Sequence, residues 1–129
     1  MPLVRIDAIE GRTDDEIKTL LDTIQSCIMD SFGVPDSDRY QIFTEHKANR
    51  IIMRDTGLGF ERTEKAIVIH IFTSPRTPEM KKELYASLAE QLQSKTGLDP
   101  QDLFVAMTPN GVSDWSFGNG KAQYMTGDL

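Results

Sequence analysis

The residue types that carry most enzyme chemistry are scarce in this sequence. Its two histidines, His46 and His70, stand in unrelated contexts, and its one cysteine, Cys27, completes neither a zinc site nor an internal disulfide. There is no Gly-x-Ser-x-Gly elbow. Gly57-Leu58-Gly59-Phe60 lacks the Gly-Lys-Ser/Thr end of a phosphate loop and reads as a turn or short hairpin. Carboxylates are plentiful, but no spacing pairs two of them in space. His70 lies in an apolar run and reads as structural, His46 in a polar turn reads as exposed, and Cys27 reads as a small core residue. The unusual group is Pro2. Methionine before a small second residue is readily removed, which would leave a chain beginning with a prolyl secondary amine. Ordinary α-amino groups titrate near ~8. Burial lowers such a value and a neighbouring carboxylate raises it, so a prolyl amine can be tuned as acid or base around neutral pH.

What must hold that amine in place is a repeated unit. Shifted by 64 residues, the sequence aligns with itself without a gap: Leu3-Val4-Arg5-Ile6 lies over Ile67-Val68-Ile69-His70, Gly11-Arg12-Thr13 over Pro75-Arg76-Thr77, and Asp38 over Asp102. Each copy begins with a β-rich run, 3–9 and 66–73, the second apolar enough for a strand buried on both faces. Thr13 and Thr77 are N-cap residues followed by acidic side chains, and Pro78 suits a first helical turn. Ile17, Leu20, Leu21, Ile24 and Ile28 then recur at helical spacing, as do Met80, Leu84, Tyr85, Leu88 and Leu92, before Gly33 and Gly97 at the C-caps. Strands over 40–44 and 103–107 complete two β-α-β units. A helical crossover implies parallel strands within each unit, so the predicted α+β fold is a four-stranded mixed sheet with two helices on one face. The other face lacks cover, which predicts an oligomer. The expected organisation is a single domain over 1–129, with pseudo-repeats 2–44 and 66–107, a linker over 45–65 and a C-terminal arm over 108–129 carrying Trp115, Phe117 and Tyr124.

Composition narrows the partners. The chain has 129 residues, of which 39% are hydrophobic, and a net charge of −6. That supports one real core and argues against a nucleic-acid binder, which normally presents a basic surface. No apolar run approaches the ~18 residues of a membrane span, and no signal-peptide pattern opens the sequence. The expectation is a cytoplasmic protein that touches neither nucleic acid nor membrane.

Pro2-Leu3, Glu10-Gly11-Arg12-Thr13, Phe32-Gly33-Val34-Pro35, Asp38-Arg39-Tyr40-Gln41-Ile42, Asp55-Thr56-Gly57-Leu58-Gly59-Phe60-Glu61-Arg62, Ser74-Pro75-Arg76 and Asp114-Trp115-Ser116-Phe117-Gly118 together resemble the tautomerase superfamily, in its malonate semialdehyde decarboxylase-like branch. The likeness spans nearly the whole chain. It implies the tautomerase fold, a homotrimer, a small carboxylate substrate, and neither cofactor nor metal. It also implies roles: Pro2 the catalytic amine, Asp38 its carboxylate partner, Arg76 the anchor of the substrate carboxylate, and Trp115, Phe117, Tyr124 and Leu129 an apolar wall. The implied reaction is decarboxylation of a 3-oxo acid such as malonate semialdehyde. The alternatives are a keto-enol tautomerase or hydratase of a small 2-oxo or unsaturated acid, and a non-catalytic trimeric binding protein. One position departs from the family pattern: Ser74 stands where the decarboxylases have a second arginine. Arg39 and Arg5 are the candidates to replace that charge.

Overall fold

The computed structural model describes residues 2–129; the expected removal of Met1 lies outside the described residues. The two long helices, α1 (Asp14–Phe32) and α2 (Pro78–Thr96), follow from their ends. The Thr13 hydroxyl accepts from the Glu16 amide while the Glu16 carboxylate accepts from the Thr13 amide, a closed capping box. Thr77 caps α2 by accepting from the Met80 amide, with Pro78 in the first turn. Both helices stop where Gly33 and Gly97 turn left-handed, at φ 66° and 75°, which costs a glycine little. α2 begins and ends 64 residues after α1, 14 to 78 and 32 to 96, so the repeat holds to the residue.

The four strands are β1 (Pro2–Ile9), β2 (Tyr40–His46), β3 (Ile67–Thr73) and β4 (Leu103–Pro109), in the order β2-β1-β3-β4. β1 runs parallel to β2, β3 parallel to β4, and the two halves meet antiparallel at β1 and β3. Val4, Ile6 and Ala8 from β1 and Ile67, Ile69 and Ile71 from β3 face the helices and meet Leu20, Ile24, Cys27 and Ile28 of α1 and Leu84, Leu88 and Leu92 of α2. Each fully buried Ile or Leu contributes roughly 1.5–3 kcal/mol by leaving water. Cys27 is therefore a core residue, as read from the sequence.

Three details differ from the sequence reading. β3 is not buried on both faces. Its odd-numbered residues are buried and its even-numbered ones half-exposed, because helices cover only one side. Its open face stays apolar with Val68 and Phe72, and Ile42 and Phe104 beside it are each 42% exposed. His46 is not in a turn: β2 extends to it, pairing with Ile9, and its Nε2 lies 2.6 Å from Asp7 Oδ1. Tyr85 leaves the α2 stripe and is exposed. The glycine segment forms a turn, as expected: the Asp55 carboxylate accepts from the Gly57 and Gly59 amides, which holds its pKa below the usual range.

The linker is anchored on its way to β3. Buried Asp102 accepts from the Thr63 amide and hydroxyl, both at 2.6 Å, and Arg12 Nη2 donates to the Lys65 carbonyl at 2.7 Å. Among the described residues no helix is long and apolar enough to cross a membrane. Nor, among them, does any group of three or more His, Cys, Asp or Glu stand ready to hold a metal ion.

Candidate active site

Pro2 begins the central strand β1 and is buried. Strand register sets its surroundings on both sides. Across the antiparallel pair it meets Thr73, the last residue of β3. On the parallel side Leu3 pairs with Tyr40, so the turn before β2, which carries Asp38, flanks the strand start. A central strand with neighbours on both sides has little freedom, so the backbone nitrogen at position 2 is fixed.

Arg76 lies three residues beyond β3 and is held by contacts of this chain. Its Nε donates to Thr73 Oγ1 and its Nη1 to the Phe32 carbonyl, both at 3.3 Å, and its guanidinium lies 4.7 Å from the centre of the Phe32 ring. The end of α1 therefore serves as a platform for the arginine. Asp38 is buried, and burial pushes its carboxyl above the ordinary range while the Arg76 charge pulls it back. Buried carboxylate and half-buried guanidinium thus share one electrostatic neighbourhood beside Pro2.

The C-terminal arm supplies aromatic surface. Trp115 and Phe117 stack with centroids 5.5 Å apart, Phe117 contacts the Tyr40 ring at 5.9 Å, and Tyr124 of the one-turn helix α3 (Gln123–Thr126) meets Phe117 edge-on at 5.5 Å. Trp115 Nε1 donates to Asn110 Oδ1 at 2.8 Å, and the Asn110 amide donates to the Thr73 carbonyl at 2.9 Å. The ring group is thereby tied to the residue that faces Pro2. Beside the rings, a cleft of about 400 Å³ opens between Leu3, Tyr40, Phe72, Asn110, Trp115 and Phe117; Pro2, Asp38 and Arg76 do not line it.

Of the residues singled out from sequence, Pro2, Asp38, Arg76, Trp115, Phe117 and Tyr124 converge at this end of the sheet. Ser74 directly follows β3 and is half-buried. Leu129 is 60% exposed in the single chain. Neither candidate for the replacement charge reaches the site. Arg39 donates to Asp22 and Gln41, and Arg5 lies in mid-strand opposite Ile42 and His70. His70 shares a hydrogen bond with the Thr108 hydroxyl and stacks on Phe72, so it is occupied on the open face. Sequence reasoning missed Thr73, Phe32 and Asn110. Only Phe32 left a signal, as the last apolar residue before the C-cap glycine.

Comparison with known proteins shows the family and the fold. A family model described as tautomerase enzyme matches residues 2–61, and a second of the same description matches residues 38–118. The chain belongs to the tautomerase family. It is 46% identical over 129 residues to the probable tautomerase YrdN of Bacillus subtilis (strain 168), covering 100% of both chains. Among solved structures it is similar to malonate semialdehyde decarboxylase, for which decarboxylase and hydratase activities are described, with 40% identity, 98% coverage of both chains and a TM-score of 0.96. A second malonate semialdehyde decarboxylase, inhibited by 3-bromopropiolate, matches with 39% identity, 98% of this chain, 97% of the other and a TM-score of 0.94. The four-stranded mixed sheet with two helices is thus the fold of this tautomerase family.

Proposed function

We propose that this tautomerase family member is a cofactor-independent decarboxylase of a small 3-oxo acid such as malonate semialdehyde. The amine freed at Pro2 by loss of Met1 carries the reaction. The observation that supports this most is the buried Pro2 at a central strand start, flanked by Asp38 and Arg76, in a chain 40% identical to malonate semialdehyde decarboxylase. The substrate carboxylate docks on Arg76, whose planar fork suits a carboxylate. Asp38 favours the protonated amine, because an opposite charge stabilises a cation. The Pro2 ammonium hydrogen-bonds the carbonyl oxygen. The bond between the carboxylate carbon and its neighbour then breaks beside Trp115 and Phe117. Its electron pair passes into an enolate held by the ammonium, and carbon dioxide leaves. A proton from the ammonium returns to carbon.

A second reading, a tautomerase or hydratase of a small 2-oxo or unsaturated acid, is favoured by neutral Ser74 and by the name of the Bacillus relative. The open apolar sheet face supports a homotrimer, in which a second copy covers Ile42, Phe104 and Phe72. An assay panel separates these readings. Carbon dioxide release from malonate semialdehyde, abolished in Pro2→Ala, is the expected result. Ketonisation of phenylenolpyruvate or hydration of 2-oxo-3-pentynoate without carbon dioxide release would move the assignment to the second reading. A trimer with none of these activities would leave a binding protein.

A further inference from the structure

Arg39 directly follows Asp38 and is tied to the helix layer. Its Nη2 donates to Asp22 Oδ1 of α1 at 2.9 Å and its Nε to Gln41 Oε1 at 2.8 Å, while Gln41 Nε2 donates to the Leu21 carbonyl of α1 at 2.8 Å. Lys18 adds a 2.7 Å bond to Asp22 Oδ2. These bonds lie where the chain is least held. β2 is an edge strand, paired with β1 alone, and Asp38 is the one buried residue of 35–40. A buried carboxyl at the entry of an edge strand keeps its place only as firmly as its neighbours are fixed.

The second copy shows what the fold itself requires. At the 64-residue offset Asp38 falls on Asp102, and the turn before it repeats: the Asp38 amide donates to the Pro35 carbonyl at 3.0 Å, and the Asp102 amide to the Asp99 carbonyl at 2.8 Å. The network does not repeat. Asp22, Arg39 and Gln41 fall on Ala86, Leu103 and Val105, and the last two pack on the core. There the linker holds the carboxylate, through the Thr63 amide and hydroxyl. The β-α-β unit thus folds without the network, which stands only in the copy that carries Pro2.

We propose that Arg39, pinned by Asp22 and Gln41, is a positioning residue that fixes the Asp38 carboxyl against the Pro2 amine. This rests on the reading of Asp38 as the partner of that amine. The other titratable and charged groups beside Asp38, Arg76 and Tyr124, stay unchanged in the variants that test it. The test is steady-state kinetics across the pH range on the full chain, with the substrate that the wild type turns over. Arg39→Ala and Asp22→Asn each lower kcat about three- to tenfold and change KM less than about twofold, because Arg76 still anchors the carboxylate. The double variant is no worse than Arg39→Ala, since both residues act through one contact. Asp22→Glu recovers most of the loss, and Lys18→Ala stays within about twofold of wild type. Melting temperatures fall by no more than about 5 °C, the scale of a half-exposed ion pair. The pH limb set by the protonated amine separates position from charge. A carboxylate moved away from the amine shifts that limb to lower pH in Arg39→Ala, whereas loss of a remote positive charge alone shifts it to higher pH. An unchanged kcat, or an upward shift of that limb, overturns the proposal. If Asp38→Asn abolishes turnover while Arg39→Ala leaves it intact, Arg39 alone is misassigned. If Asp38→Asn leaves turnover intact, both readings fall.

Discussion

Replacing Arg76 by alanine separates what this side chain does for the fold from what it does for the substrate. Its bonds to Thr73 and the Phe32 carbonyl are long, at 3.3 Å, and go to neutral acceptors. Each is worth at most about 1 kcal/mol, and the contact with the Phe32 ring about 0.5–1 kcal/mol. Arg76→Ala should therefore cost about 1–2 kcal/mol of stability and lower the melting temperature by about 3–8 °C. Substrate capture depends on far more. Two charge-assisted bonds to a carboxylate are worth about 3–4 kcal/mol together, so kcat/KM should fall about 10²- to 10³-fold. Arg76→Lys, a point charge without the fork, should recover about tenfold. A further consequence comes from Asp38, whose carboxyl Arg76 pulls downward against burial. Without the guanidinium that carboxyl rises further, and any limb of the pH profile that needs ionised Asp38 moves to higher pH. Steady-state kinetics across the pH range, with circular dichroism melts on the same samples, measure all three effects. A kcat/KM within about threefold of wild type, at unchanged fold, would refute the role given to Arg76.

Other substitutions test the frame around it. The folded chain holds the Asp38 proton more tightly than the unfolded chain, so stability falls as pH rises from the ordinary carboxylate range through the raised value, then levels off. Asp38→Asn removes that slope: it should melt above wild type at about pH 7, by a margin that shrinks towards about pH 3, while activity is lost. Asp102→Ala frees the Thr63 amide and hydroxyl from a buried carboxylate and should cost about 2–4 kcal/mol, with faster amide exchange and proteolysis around residues 61–65. Leu88→Ala opens a cavity among fully buried neighbours and should cost about 2–5 kcal/mol in denaturant titration, with the residual folded fraction keeping its KM.

The helices were legible because their signals are local. Caps, apolar spacing and terminal glycines lie within one segment, and the 64-residue offset reproduced both ends of α2 from α1. The strand pairing was legible only as topology. That His46 would meet Asp7 depends on β1 and β2 staying in register to Ile9, which no local pattern announces. The apolar character of β3 was read as burial on two faces. One of those faces is open in the single chain, so the same residues point to cover by another copy. In the site, Pro2 stands out by its own chemistry and Asp38 and Arg76 through a family resemblance, while the platform that holds Arg76 left no such trace. Phe32 reaches it only through the fold, across 44 positions, whereas Thr73 is three residues away and becomes a partner through the turn that follows β3.

In the proposed reaction a free prolyl amine at residue 2 carries the chemistry. Incubation with 3-bromopropiolate, the inhibitor of a malonate semialdehyde decarboxylase of the same fold, followed by intact and peptide mass measurement, tests it most directly. The expected result is a chain lacking Met1, with one adduct on the peptide that begins Pro2-Leu3-Val4-Arg5, formed in step with loss of activity. A chain that retains Met1 yet turns over substrate, or an adduct on any other residue, would contradict it.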